Sequence, residues 1–182
     1  MDLFHIAAQA VGIAAMAFNI LSYQQKSRKG VIAFQLGGSI LFCLNFFMLG
    51  AVVGGILNGI GIIRALVFLQ KEKLRADRLV WQAGFTVAYI LSYVLTFTLF
   101  GKEATAANLI VELLPVIGMV ATTFSFRCTD AKTIRRFGLI SSPSWLVYNI
   151  VNFAIGAIIC EVLSLGSILI GMWRFDVKKN KV

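Results

Sequence analysis

Three ionisable side chains stand where water is scarce. Arg64, Glu112 and Glu161 each lie inside a long apolar stretch of this 182-residue chain. A charge in hydrocarbon is costly, and it marks pairs, solute pathways and proton relays. Two carboxylates brought together in such surroundings would share a proton, because like charges in a dry site cannot both ionise. Amides and hydroxyls recur at related places: Asn45, Asn58, Asn149, Asn152 and Ser164. Trp145, Tyr148 and Phe42 could stack on a ligand ring, although such spacing more often marks helix packing, which is the preferred reading. The chemistry open to such a set is the capture of a small polar solute, with a proton as a coupling ion. Bond-breaking chemistry is not indicated, since no paired nucleophile and base, metal cluster or phosphate loop occurs. His5 has no acidic or thiol neighbour in sequence, and Cys43, Cys128 and Cys160 lack metal-ligand spacing. The chain reads as a non-enzyme that needs no cofactor.

The elements that must hold these groups follow from composition. Hydrophobic residues make up 59% of the chain and charged residues 14%, against roughly half and a quarter in soluble domains. The net charge of +9 sits in short clusters between apolar runs, which argues for membrane topology and against nucleic acid. Taking about 20 residues per crossing, seven spans are expected, at about 3–23, 31–48, 52–70, 79–100, 105–126, 135–153 and 156–173. Tight turns are expected at Leu49-Gly50-Ala51 and Ala154-Ile155. The first span has no basic leader segment, so it reads as a permanent helix rather than a cleaved signal. Fifteen of the seventeen cations fall on one face, among them Lys26, Arg28, Lys29 and the tail residues Lys178, Lys179 and Lys181. The positive-inside rule makes that face cytoplasmic, with the N-terminus outside and the C-terminus in the cytosol. Trp81 and Trp173 fit interfacial anchors. Helical rise puts Arg64 roughly 9 Å from the inner boundary, within snorkelling reach, and Glu112 and Glu161 roughly 10 and 8 Å below the outer one.

The two ends of the chain look alike. Leu49-Gly50-Ala51-Val52-Val53 aligns with Ile155-Gly156-Ala157-Ile158-Ile159, Phe42 with Tyr148, and Asn58 with Ser164. Each unit has three spans behind a basic loop. The reading is a single all-α transmembrane domain over 1–182, in a 3+1+3 order: residues 3–70, a linker helix at 79–100, and 105–174, with the two units parallel. Parallel repeats of this sort place a solute site between the units.

Several motifs carry a resemblance. Tyr23-Gln-Gln-Lys26-Ser27-x-x-Gly30 resembles the loop of the PQ-loop and SWEET-like transporters, as do Asn58-Gly59-Ile60-Gly61 and Trp145-x-x-Tyr148. Glu112-Leu-Leu-Pro-Val-Ile-Gly118, the overall length and a last helix bearing Glu161 resemble the YgjV family of bacterial inner-membrane proteins over nearly the whole chain. That resemblance implies a fold and a place in the bacterial inner membrane, and it names no substrate. Ala17-Phe18 stands where PQ-loop proteins carry Pro-Gln. Of the two prolines, Pro115 lies inside the fifth span, where it could be a hinge or a static kink. Packing as in SWEET proteins would make spans five and seven neighbours and bring Glu112 close to Glu161.

The combined expectation is a seven-helix carrier of a sugar-like or other small polar metabolite. Its candidate pocket residues are Asn58, Glu112, Trp145, Glu161 and Ser164, with Arg64 beside them. Its partners are membrane lipid, solute and proton, with no nucleic acid, and it could form a homo-oligomer. The alternative is a non-transporting membrane protein that binds lipid or a protein through its basic loops.

Overall fold

The computed structural model describes residues 3–48, 52–151 and 155–177. The turns expected at 49–51 and 154, Asn152, and the tail cations Lys178, Lys179 and Lys181 lie outside the described residues. All regular structure among the described residues is helical: α1 (Leu3–Ser22), α2 (Arg28–Met48), α3 (Val52–Leu69), α4 (Lys71–Leu74), α5 (Leu79–Thr98), α6 (Ala106–Arg127), α7 (Ala131–Val151) and α8 (Ile155–Met172). A π-helical turn, Trp173–Val177, extends α8.

Local chemistry sets the helix starts. The Ser27 hydroxyl accepts from the Gly30 amide at 3.0 Å, Thr105 from Asn108 at 3.2 Å, and the Asp130 carboxylate from Thr133 at 2.7 Å. Each satisfies an amide that a helix N-terminus leaves unpaired. These caps start α2 and α7 at Arg28 and Ala131, earlier than the expected 31 and 135. The basic residues assigned to loops therefore ride on the first helical turns. Arg75 ends α4 in the left-handed region, at φ 48°.

Among the described residues, four helices are long and apolar enough to cross a membrane: Arg28–Met48, Leu79–Thr98, Ala106–Arg127 and, across α8 and its π turn, Gly156–Val177. Ile6–Ser22 and Gly55–Leu69 are shorter apolar helices. α7 has 21 residues, with Lys132, Arg135 and Arg136 near its start. Large apolar side chains such as Leu79, Val87, Leu91 and Ile110 are exposed on the outside of the bundle, as a hydrocarbon surround permits.

α2 packs between α1 and α3, and α7 packs between α6 and α8. α5 lies against α6 and α3. The two groups meet where α1 touches α8, α3 touches α6, and α2 touches α7. This order corrects the SWEET-based expectation: the middle helix α7 separates α6 from α8, so the fifth and seventh spans are not a packed pair.

The basic end is bonded together across the groups. Arg28 is buried. Its guanidinium donates to the carbonyls of Phe68 at 2.8 Å, and of Phe126 from Nε at 2.9 Å and also from Nη2. These carbonyls close α3 and α6, where the chain has no further turn to bond them. Lys71 donates to the Arg127 carbonyl beside them. Phe68 packs edge-on to Phe126 at 6.2 Å, in a core that also holds Val31, Ile32, Phe85 and Ile134. α8 approaches the end of α1 so closely that a Cβ on Gly171 would sit 2.5 Å from the Tyr23 carbonyl oxygen. Gln24 bonds the Ser167 carbonyl and hydroxyl at 2.7 and 2.9 Å, and Ser167 returns a bond to the Ile20 carbonyl. Of the cations after the first span, Arg28 is thus an internal brace, while Lys29 is exposed.

Replacing Arg28 by Met orphans two buried carbonyls and should destabilise the fold by roughly 2–5 kcal/mol. Lys29→Met should move stability by less than about 0.5 kcal/mol. Thermal unfolding in detergent, followed by tryptophan fluorescence, compares them. Equal effects from the two would mean that Arg28 acts only as a surface charge.

Candidate functional site

Arg64 enters the bundle from α3. It is 8% exposed, covered by protein rather than open to solvent. One Nη donates to the Tyr89 hydroxyl of α5 at 3.3 Å, and that hydroxyl lies 3.0 Å from Thr123 Oγ1 of α6. The guanidinium stands 5.1 Å from the Phe126 ring centroid, a cation–π distance. Its Nε has no partner. Neither ion pair found among the described residues involves it.

Glu161 lies on α8. Its carboxylate is within hydrogen-bonding reach of Ser142 of α7, and Ser142 is also in reach of the Tyr23 phenol. Tyr23 feels the charges of both Glu161 and Arg64. Its ring fits because position 138 is glycine, where a Cβ would come within 3.2 Å of that ring. Ser164, one turn beyond Cys160 on α8, is fully buried and interacts with the Cys160 thiol. Thr122 and Ser141 bond across α6 and α7 at 3.1 Å. Groups from the turn after α1 and from α3, α5, α6, α7 and α8 thus supply polar atoms to the interior.

The other candidates are placed apart from this cluster. Glu112 forms an ion pair with Lys102 of the α5–α6 connection and also acts electrostatically on Tyr148. The expected coupling of Glu112 to Glu161 gives way to separate partners for each. Trp145 stacks edge-on to Tyr148 at 5.8 Å. It also covers Gly118, where a Cβ would lie 3.1 Å from the indole. That places Trp145 in helix packing. Asn58 is half-buried on α3. Of the other amides, Asn45 is buried and bonds the Ala8 carbonyl at 2.7 Å, tying α2 to α1.

Sequence reasoning missed Tyr23, Tyr89, Thr123 and Ser142. Their only signal was a polar atom in an apolar run, which many surface positions share. It also missed the buried pair at the basic end, where Arg135, 2% exposed, grips Asp176 from two nitrogens and donates to the Gln25 carbonyl at 3.1 Å. Among the described residues no group of three or more His, Cys, Asp or Glu could hold a metal ion. An apolar groove of about 460 Å³ runs along Val116, Val120, Phe124 and Phe137, and one of about 740 Å³ opens at the basic end. Neither is lined by Asn58, Glu112, Trp145, Glu161 or Ser164.

Lys102 is about a third exposed, so its bond to Glu112 is partly screened. A double-mutant cycle of Lys102→Met with Glu112→Gln should give a coupling of about 1 kcal/mol in thermal unfolding. Zero coupling would show that Glu112 is held by other groups.

Residues 6–179 match the Imp-YgjV model, described as a bacterial inner membrane protein. The chain is 25% identical over 172 residues to "Inner membrane protein YgjV" of Escherichia coli (strain K12), covering 93% of this chain and 86% of that protein. No solved structure matches. With several apolar helices, this is a multi-pass protein of the bacterial inner membrane, and it belongs to the Imp-YgjV family.

Proposed function

We propose that the protein carries a small polar solute across the inner membrane, with two helix triplets rocking against each other around the buried polar cluster. In this reading α1–α3 and α6–α8 are like-oriented copies joined by α5, giving seven spans with the N-terminus outside and the C-terminus cytoplasmic. The helix contacts support it. Exchanging α1 with α6, α2 with α7 and α3 with α8 turns the α1–α8 contact into the α6–α3 contact and leaves α2–α7 unchanged. Gly12 and Gly118 have the same separation in sequence as Gly50 and Gly156, and each receives a side chain from its triplet's middle helix, Asn45 and Trp145 respectively. Transporters with parallel repeats bind solute at such an interface.

The observation that carries the reading is the interior set Arg64, Tyr23, Ser142, Glu161 and Ser164. It leaves a guanidinium Nε unpaired. Groups buried without partners are costly, and a hydroxylated solute with donors and acceptors would satisfy them. Arg64 and Ser164 contact the solute, and Glu161 accepts a hydrogen bond from it and exchanges the coupling proton. Asn58 and Glu112 line the approach from the opposite end, and Trp145 backs it.

Uptake of radiolabelled sugars, polyols and amino acids into proteoliposomes tests this. For at least one solute, Glu161→Gln should lower uptake by about tenfold, the equivalent of about 1.4 kcal/mol, with an unchanged thermal midpoint. Failure of every solute in the panel, or uptake indifferent to both Glu161→Gln and Arg64→Gln, would overturn the proposal.

A further inference from the structure

A second feature lies away from the polar cluster. The groove of about 740 Å³ at the basic end is walled by the α1–α2 connection, the first turn of α7 and the π turn after α8. Four cations line it, Lys26, Lys132, Arg135 and Arg174, against two carboxylates, Asp130 and Asp176. Both carboxylates are already engaged. Asp130 caps α7 through the Thr133 amide and hydroxyl at 2.7 and 2.9 Å, and Asp176 is held by Arg135. Among the described residues, Lys26 and Lys132 enter no ion pair or hydrogen bond, and Arg174 only leans on the Phe175 ring, 5.3 Å away. The groove therefore presents three uncommitted cations from three separate parts of the chain.

From this convergence we infer that the groove is a binding site for a phosphate group. One guanidinium and two flexible ammonium groups can each take an oxygen of a tetrahedral oxyanion. A tetrahedral oxyanion points its oxygens in separate directions, which suits cations converging from three sides better than the single plane of a carboxylate. Phe175 gives the groove an apolar wall, and the neighbouring Trp173 is 60% exposed. Exposed tryptophan beside cations marks the depth of lipid headgroups. The phosphate can thus come from an anionic phospholipid of the surrounding leaflet or from a free phosphate ester.

The test uses the full chain in non-ionic detergent. Native mass spectrometry titrates dioleoylphosphatidylglycerol against dioleoylphosphatidylcholine, and phosphorus NMR line broadening follows inorganic phosphate. Binding in either arm is expected, and which arm responds identifies the source. The triple variant Lys26→Gln, Lys132→Gln, Arg174→Gln should weaken binding at least about tenfold. The triple variant Lys73→Gln, Arg75→Gln, Arg78→Gln removes the same charge at the same end but outside the groove, and should weaken it less than about twofold. Lys132→Glu alone, taken through the same titrations, answers the question if the groove triple variant does not fold. Binding in neither arm, or equal losses from the two triple variants, would overturn the inference.

Discussion

A helix that ends against other protein in a water-poor setting has carbonyls with nowhere to go. α3 and α6 both end at the basic end, and the Phe68 and Phe126 carbonyls face one buried guanidinium there. Arg28 answers the problem twice over. Its donors pair both carbonyls, and its charge sits where the helix dipoles are negative. Lys71 does the same for the Arg127 carbonyl. Because α3 and α6 belong to different helix groups, this satisfaction of helix ends also joins the groups. The aromatic core of Phe68, Phe85 and Phe126 assembles around the joint.

Other bonds between the groups repeat the pattern. Gln24 and Ser167 tie the end of α1 to α8, and Arg135 ties α7 to the Gln25 carbonyl after α1. All of these lie at the basic end. The Lys102–Glu112 pair, at the opposite end, ties the α5–α6 connection to α6 and does not cross between α1–α3 and α6–α8. Any relative motion of the groups must therefore break charged bonds at the basic end, or pivot on them. A pivot is the less costly course, since parting the groups strips the buried Arg28 and Arg135 of carbonyl partners across the joint.

Much of this fold was legible in the sequence, because span length and charge clustering follow directly from the bilayer. The helices beginning at Leu79 and Ala106 fall within a residue of expectation. Helix neighbours were not legible. An apolar face shows that a helix is covered, but not by which partner, so the order with α7 between α6 and α8 could not be read. The brace was hidden for a related reason. Arg28 and Lys29 are alike in type and adjacent in sequence, yet about 100° apart around a helix. That turn alone puts one inside and the other in solvent. The Glu112 pairing was missed because Lys102 looked like a lone loop charge, although a long, flexible lysine can reach down to a carboxylate within the first turns of α6.

The buried Arg64 poses the sharper energetic question, since an isolated interior cation should be prohibitive. Its surroundings spread the charge. The guanidinium donates to the Tyr89 hydroxyl, which lies against Thr123, and Thr123 donates to the Met119 carbonyl at 2.7 Å. With the Thr123 proton parked on its own helix, its oxygen accepts from Tyr89, and the Tyr89 oxygen is free to accept from Arg64. Thr122 does likewise, donating to the Gly118 carbonyl at 2.9 Å while facing Ser141. Hydroxyls that give their protons to the helix backbone turn the interior into an array of acceptors, aided by the Phe126 ring face. A cation can rest in such an array without a carboxylate.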